Sequence, residues 1–152
     1  SRWLDILEAF YYQFRIRPYA RTPFRALKKE PKLYLWDWSE VAEGPARFEN
    51  LIASHLLKLV HWLHDHEGYK AGLYFLRDSN QKEVDFLVTV DEKPWFAVEV
   101  KSQDEEASPA LRSFQERLKI PFAYQVLRKK GVDKLVRGVR VVSADSFLGA
   151  LV

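Results

Sequence analysis

The sequence predicts an α/β domain built of strands and helices. Three observations predict it. Two alternating runs, Val84 to Val90 and Pro94 to Lys101, read as a β-hairpin joined by the polar turn Asp91-Glu92-Lys93. One long apolar stripe from Ala46 to His64 repeats at helical spacing. After the hairpin, a helical segment and further strand-like runs follow.

The elements can be justified in chain order. Residues 2–10 place Trp3, Leu4, Ile6, Leu7 and Phe10 at helical spacing. From Gln13 to Tyr19 the chain alternates, with Phe14 and Ile16 on one face and Arg15 and Arg17 on the other. A basic loop punctuated by proline follows, carrying Arg21, Arg25, Lys28, Lys29 and Lys32, and Leu33 to Trp36 reads as a second strand. Helix, strand, basic loop and strand over residues 1–40 are how the end of a winged-helix module would read, with the loop on nucleic-acid backbone. A solvated hairpin covering the core is the equal alternative.

Gly44-Pro45 breaks the chain before the long helix. At 100° per residue, Phe48, Leu51, Ile52, Leu56, Leu59, Val60 and Leu63 form its stripe, and Glu49 falls inside it. A carboxylate on a buried face is costly unless paired or metal-bound. The four histidines at 55, 61, 64 and 66 lie on or near this helix; His61 and His64 lack a third ligand at metal spacing, so a solvated helix end explains them. Leu73 to Leu76 predicts a short strand and Arg77-Asp78-Ser79-Asn80 a turn. Beyond the hairpin come an acidic loop at Asp104-Glu105-Glu106 and a helix from about Pro109 to Leu118 capped by Ser108. Phe122 to Leu127 and Val139 to Val142 predict strands separated by Arg128-Lys129-Lys130-Gly131, and Ser143 to Val152 a last short helix.

Composition narrows the function classes. The chain has 152 residues, 47% hydrophobic and 14% aromatic, enough for one packed domain. It holds no cysteine, which excludes disulfides and thiolate metal sites and fits a reducing cytoplasm. No apolar run reaches membrane-span length, and no signal peptide opens the chain. No G-x-x-x-x-G-K-[ST] phosphate loop is present. Methionine is absent even at position 1, as expected of a segment excised from a longer protein. Net charge is +3, unevenly spread: +5 over residues 1–32, −8 over 33–111 and +7 over 112–140. Basic flanks around an acidic centre suit a polyanion gripped at its rim, although for charge counts alone ordinary solvated surface is the better explanation.

The hairpin concentrates the chemistry. Alternation puts Val84, Phe86, Val88 and Val90 on one face, with Phe96, Val98 and Val100 opposite them. A three-residue turn in that register sets Asp85 directly across from Glu99, with Lys101 one diagonal step away on the same face. Like charges placed opposite each other destabilise a sheet. Two carboxylates and a lysine beside an apolar core therefore call for a cation or a chemical purpose.

At Phe48-Glu49, Glu83-Val84-Asp85-Phe86 and Glu99-Val100-Lys101 the chain resembles the PD-(D/E)XK nuclease superfamily, with Val84 where a proline is usual. More narrowly, it resembles the C-terminal domain of unknown function of bacterial and archaeal AAA-type ATPases. There a P-loop ATPase and a winged helix precede a nuclease-like domain. The segments Leu4-Asp5-Ile6-Leu7-Glu8-Ala9-Phe10 and Pro31-Lys32-Leu33-Tyr34-Leu35-Trp36-Asp37 carry the lead-in. The resemblance implies a winged-helix-like remnant over residues 1–40, and over 41–152 a restriction-endonuclease-like core with a mixed sheet. It also implies an ATPase portion outside this chain and hydrolysis of nucleic acid, chiefly DNA. Asp85 and Glu99 would hold Mg²⁺ or Mn²⁺ with the Val100 carbonyl, and Glu49 would be a ligand or orient the ligands. Lys101 would position or deprotonate the attacking water, or stabilise charge on the phosphate. Arg112 or Gln115, on the following helix, would touch phosphate, as would Arg15, Arg17, Arg21, Arg25, Lys28 and Lys29.

Two other readings stand beside this one. Asp85, Glu99 and Lys101 would also make a structural ion cluster, leaving a DNA-binding or regulatory module attached to a motor. The aromatics Tyr11, Tyr12, Trp36 and Trp38 would instead suit a protein partner.

Overall fold

The structure, a computed structural model, describes residues 1–20 and 30–151. Among these, eight strands form one mixed sheet and four α-helices accompany it. The strands are β1 (Gln13–Pro18), β2 (Lys32–Leu35), β3 (Ala71–Arg77), β4 (Glu83–Val90), β5 (Lys93–Lys101), β6 (Phe122–Leu127), β7 (Asp133–Val136) and β8 (Val139–Ser143). The helices are α1 (Arg2–Ala9), α2 (Pro45–Glu67), α3 (Pro109–Leu118) and α4 (Ala144–Ala150). Strand order is β2-β1-β3-β4-β5-β6-β8-β7. No described helix is long and apolar enough to cross a membrane.

Two apolar clusters sandwich the sheet. On one face α2 and α4 pack Ile52, Leu56, Leu63 and Phe147 against Phe86, Val88, Val98 and Val126. On the other, α3 packs Leu111 and Phe114 against Leu87, Ala97, Ala123 and Val141. The helix α3 is the crossover between the parallel neighbours β5 and β6. Helix ends follow their residues. Pro45 starts α2 after Gly44, and Gly68 stops it in the left-handed region at φ 71°. Ser108 caps α3 by accepting the Leu111 N–H at 3.3 Å.

Two strands from the first 40 residues, β1 and β2, join the same sheet. β1 pairs antiparallel with β2 and, at Arg17↔Tyr74 and Pro18↔Phe75, parallel with β3. Phe14, Ile16 and Tyr34 are buried in the cluster that α2 covers. Asn50, buried inside α2, fastens β2: its Nδ2 donates to Leu35 O at 2.8 Å and its Oδ1 accepts from Leu35 N at 2.9 Å. By contrast α1 buries none of its residues, and Trp3 and Phe10 are exposed.

Three expectations are corrected. The β4–β5 turn has two residues, Asp91 and Glu92, both at positive φ (50° and 67°), as a type I′ hairpin requires. An irregularity at Trp95 then restores the register Phe86↔Val98 that faces the apolar sets. Val84 does not share the face of Phe86. The β3–β4 ladder passes from Tyr74↔Leu87 to Leu76↔Val84, leaving Asp85 and Phe86 opposite Phe75 alone, so Val84 joins the α3-side cluster. Finally, β7 was not foreseen: it pairs with β8 through the Arg137-Gly138 turn, where φ is 49° and 82°.

Candidate functional site

Three elements deliver charged side chains to one end of the β4–β5 hairpin. The irregularity in β4 sets Asp85 apart from the apolar alternation. Its Oδ2 accepts the Val100 N–H at 2.8 Å, and its side chain is only 16% exposed. Glu99 is more enclosed, at 11%. Its Oε1 lies 3.5 Å from the Lys101 ammonium, while its Oε2 is buried with no hydrogen-bond partner among the described residues. The Lys101 side chain is 40% exposed, so its ammonium faces solvent at the site's edge.

The opposite side is built by α2 and β2. Tyr34 donates its hydroxyl to Glu49 Oε1 at 2.7 Å. The Lys32 ammonium, at the start of β2, pairs with Glu83 and lies 3.7 Å from Glu49 Oε1 and 3.9 Å from Asp85 Oδ1. Arg77 Nε holds the other oxygen of Glu83 at 2.8 Å. Asn50, one residue after Glu49, positions β2 and with it both Lys32 and Tyr34.

The electrostatics divide the carboxylates. Burial, then Glu99 and Glu49, push Asp85 up to about 7, against the opposing Val100 N–H and Lys32. Burial also raises Glu99, although Lys101 partly offsets it. Glu83 is lowered: Lys32 and Arg77 outweigh its burial. Lys32 is raised because Glu83, Glu49 and Asp85 outweigh its own burial. Tyr34 stays firmly protonated, since burial and the neighbouring carboxylates disfavour a phenolate.

Among the described residues no three His, Cys, Asp or Glu side chains converge to hold one ion. Glu49 is taken up by Tyr34 and Lys32. The smaller donor set of Asp85, Glu99 and the Val100 carbonyl does fit Mg²⁺ or Mn²⁺. Such hard cations take one or two carboxylates and keep several waters, and the orphaned Glu99 Oε2 is an oxygen still lacking a partner.

The other anticipated residues are spread more widely. Arg15 is committed to α1 through Asp5 at 2.8 Å and through Glu8. Arg17 is exposed, and Arg112 and Gln115 are half-buried on α3. Arg21, Arg25, Lys28 and Lys29 lie outside the described residues. Sequence reasoning missed Lys32 as the centre of the cluster, because it was counted with a basic loop. It also missed Gln125, fully buried on β6. Its Oε1 accepts from Ser108 N at 2.9 Å and its Nε2 donates to Asp104 O and Glu106 O, both at 2.7 Å, clamping the loop after Lys101. A lone glutamine in the strand run Phe122 to Leu127 was the available signal.

Fold and site together define a mixed α/β domain with a buried and a half-buried carboxylate and a lysine at one hairpin end. Residues 46–147, about two-thirds of the chain, match the family described as Domain of unknown function (DUF4143), and the chain belongs to that family. No curated protein and no solved structure matches it.

Proposed function

We propose that this domain hydrolyses phosphodiester bonds of nucleic acid, DNA foremost, at a divalent-metal site held by Asp85 and Glu99. The observation that carries the reading is the buried Oε2 of Glu99, without a partner among the described residues, beside the half-buried Asp85 carboxylate. Enclosing two carboxylates and leaving an oxygen unsatisfied costs stability, and a cation would offset that cost. On this reading the core is of the PD-(D/E)XK type and serves an AAA-type ATPase whose P-loop portion lies outside this chain.

Mg²⁺ or Mn²⁺ bound there would supply Lewis-acid polarisation of the phosphodiester and charge neutralisation at the leaving oxygen. The protein's own groups would do the rest. Lys101, tethered near Glu99 yet open to solvent, orients the attacking water and meets charge developing on the phosphate. The Val100 N–H fixes the Asp85 carboxylate through Oδ2, leaving Oδ1 for a cation. Tyr34 and Lys32 hold Glu49 back from the pair as an orienting group.

The test is incubation of the chain with single- and double-stranded DNA and RNA in Mg²⁺ or Mn²⁺. Cleavage that disappears in EDTA, in Asp85→Ala and in Lys101→Ala is the expected result; cleavage that survives either substitution refutes the assignment. A second reading, a non-catalytic DNA-binding or regulatory module of the ATPase, is favoured by Lys32. Its ammonium already neutralises charge among Glu49, Glu83 and Asp85 without any metal. That reading expects salt-dependent DNA binding and no cleavage in any metal.

A further inference from the structure

We propose that the cavity formed by Trp38, Arg47, Phe48, Leu51 and Arg128 is a nucleotide subsite, taking a phosphate of single-stranded nucleic acid on the two guanidiniums and its base on the Trp38 indole. The inference deepens, and rests on, the proposed action of the neighbouring centre on nucleic acid.

The cavity measures about 310 Å³, near the lower limit for a small-ligand pocket and suited to one nucleotide unit. Its walls are divided by chemistry. Phe48 and Leu51 supply an apolar side, and Trp38, 37% exposed, a half-open aromatic plane. The Arg47 guanidinium lies 5.4 Å from the Trp38 ring centroid. Its Nη2 donates to Ser39 O at 2.9 Å, which fixes the group. Its Nε is buried and has no hydrogen-bond partner among the described residues. An arginine donor held in place without an acceptor is costly in isolation and is satisfied by a phosphate oxygen. Arg128, an exposed residue that also lines the cavity, makes no ion pair or side-chain hydrogen bond among the described residues. Glu43, the one carboxylate among the described residues lining the cavity, meets Arg47 Nη1 at 3.3 Å, and its side chain is 90% exposed.

Placement ties the cavity to the candidate centre. Arg47 and Phe48 immediately precede Glu49 on α2. Arg128 follows β6, and its backbone N–H donates to Lys101 O at 3.1 Å. Both links place the cavity on elements that also carry the candidate centre. Guanidinium for phosphate and indole for base is a sequence-tolerant combination, because every base has a face to stack.

The test is fluorescence anisotropy of a labelled single-stranded oligonucleotide in EDTA, where no cleavage intervenes. Arg128→Glu and Arg47→Ala are each expected to weaken binding about tenfold and to flatten the salt dependence by about 0.7 per lost contact. Trp38→Ala is expected to cost about tenfold through lost stacking. Arg128 is exposed and makes no ion pair among the described residues, so its variant reports on binding even if Arg47→Ala perturbs folding. Affinity and salt slope unchanged in Arg128→Glu would overturn the proposal. So would saturable binding of a mononucleotide, lost in Arg128→Glu, with no binding of the oligonucleotide. A wild-type chain that binds in this manner but cleaves nothing in Mg²⁺ or Mn²⁺ would refute the hydrolytic reading and leave the subsite standing. Cleavage without any effect of Arg128→Glu would do the reverse.

Discussion

Replacing Asp85 by asparagine should stabilise the protein in the absence of divalent metal, by an amount that grows as pH rises from about 4 to 7. The Asp85 carboxyl titrates at about 7 when folded against a reference of 3.8. Below pH 4 both states hold the proton and the group contributes nothing against folding. As pH rises from 4 to 7 the unfolded chain ionises first, so folding becomes progressively less favourable. Above 7 the full cost is present. At about 1.4 kcal/mol per pKa unit the gap corresponds to a ceiling of about 4 kcal/mol. Glu99 shares in that unfavourable charge, so removing one carboxylate also relaxes the other. Asparagine keeps an oxygen to accept the Val100 N–H and carries no charge. The expected gain is therefore about 2–4 kcal/mol at pH 8 and close to zero at pH 4. Urea unfolding followed by tryptophan fluorescence in EDTA measures it. The reasoning fails if Asp85→Asn is destabilised at pH 8, or if the difference from wild type does not change with pH.

Other perturbations test neighbouring parts of the structure. Mg²⁺ or Mn²⁺ at 100 times its dissociation constant should raise wild-type stability at pH 8 by about 2.7 kcal/mol, an increment that calorimetry should find absent in Glu99→Gln. Asn50→Ala removes both bonds to Leu35 and leaves its N–H and C=O without side-chain partners. It should cost about 2–3 kcal/mol in urea unfolding and raise hydrogen exchange in β2 ahead of the remaining sheet. Gln125→Leu strips acceptors and donors from Ser108, Asp104 and Glu106. A loss of about 3 kcal/mol is expected, together with faster proteolytic nicking between residues 102 and 108.

Legibility followed locality. The long α2 stripe, the α3 cap at Ser108 and the β4 and β5 runs were readable because helical and strand periods are local properties of the chain. The Phe86↔Val98 register was readable too, since only it sets the two apolar rows against one core. β7 was not: its four residues lie at the sheet edge and three are exposed, so no apolar alternation marks them. Nor was the two-residue turn, because the irregularity at Trp95 conceals the shift it introduces.

The candidate site divides the same way. Asp85, Glu99 and Lys101 as a charged group at one hairpin end are determined by the sequence alone, because pairing of adjacent strands follows from alternation and a short turn. The conflict of Glu49 with an apolar helix stripe is likewise written in its spacing. Tertiary structure decided which cation answers which carboxylate. Lys32 reaches Glu49, Glu83 and Asp85 only because β2 packs beside α2 and is held there by Asn50. It also decided that Glu99 keeps one oxygen buried and unpartnered. Burial and ion pairing between distant segments depend on how elements stack, and that information lies in no single stretch of the chain.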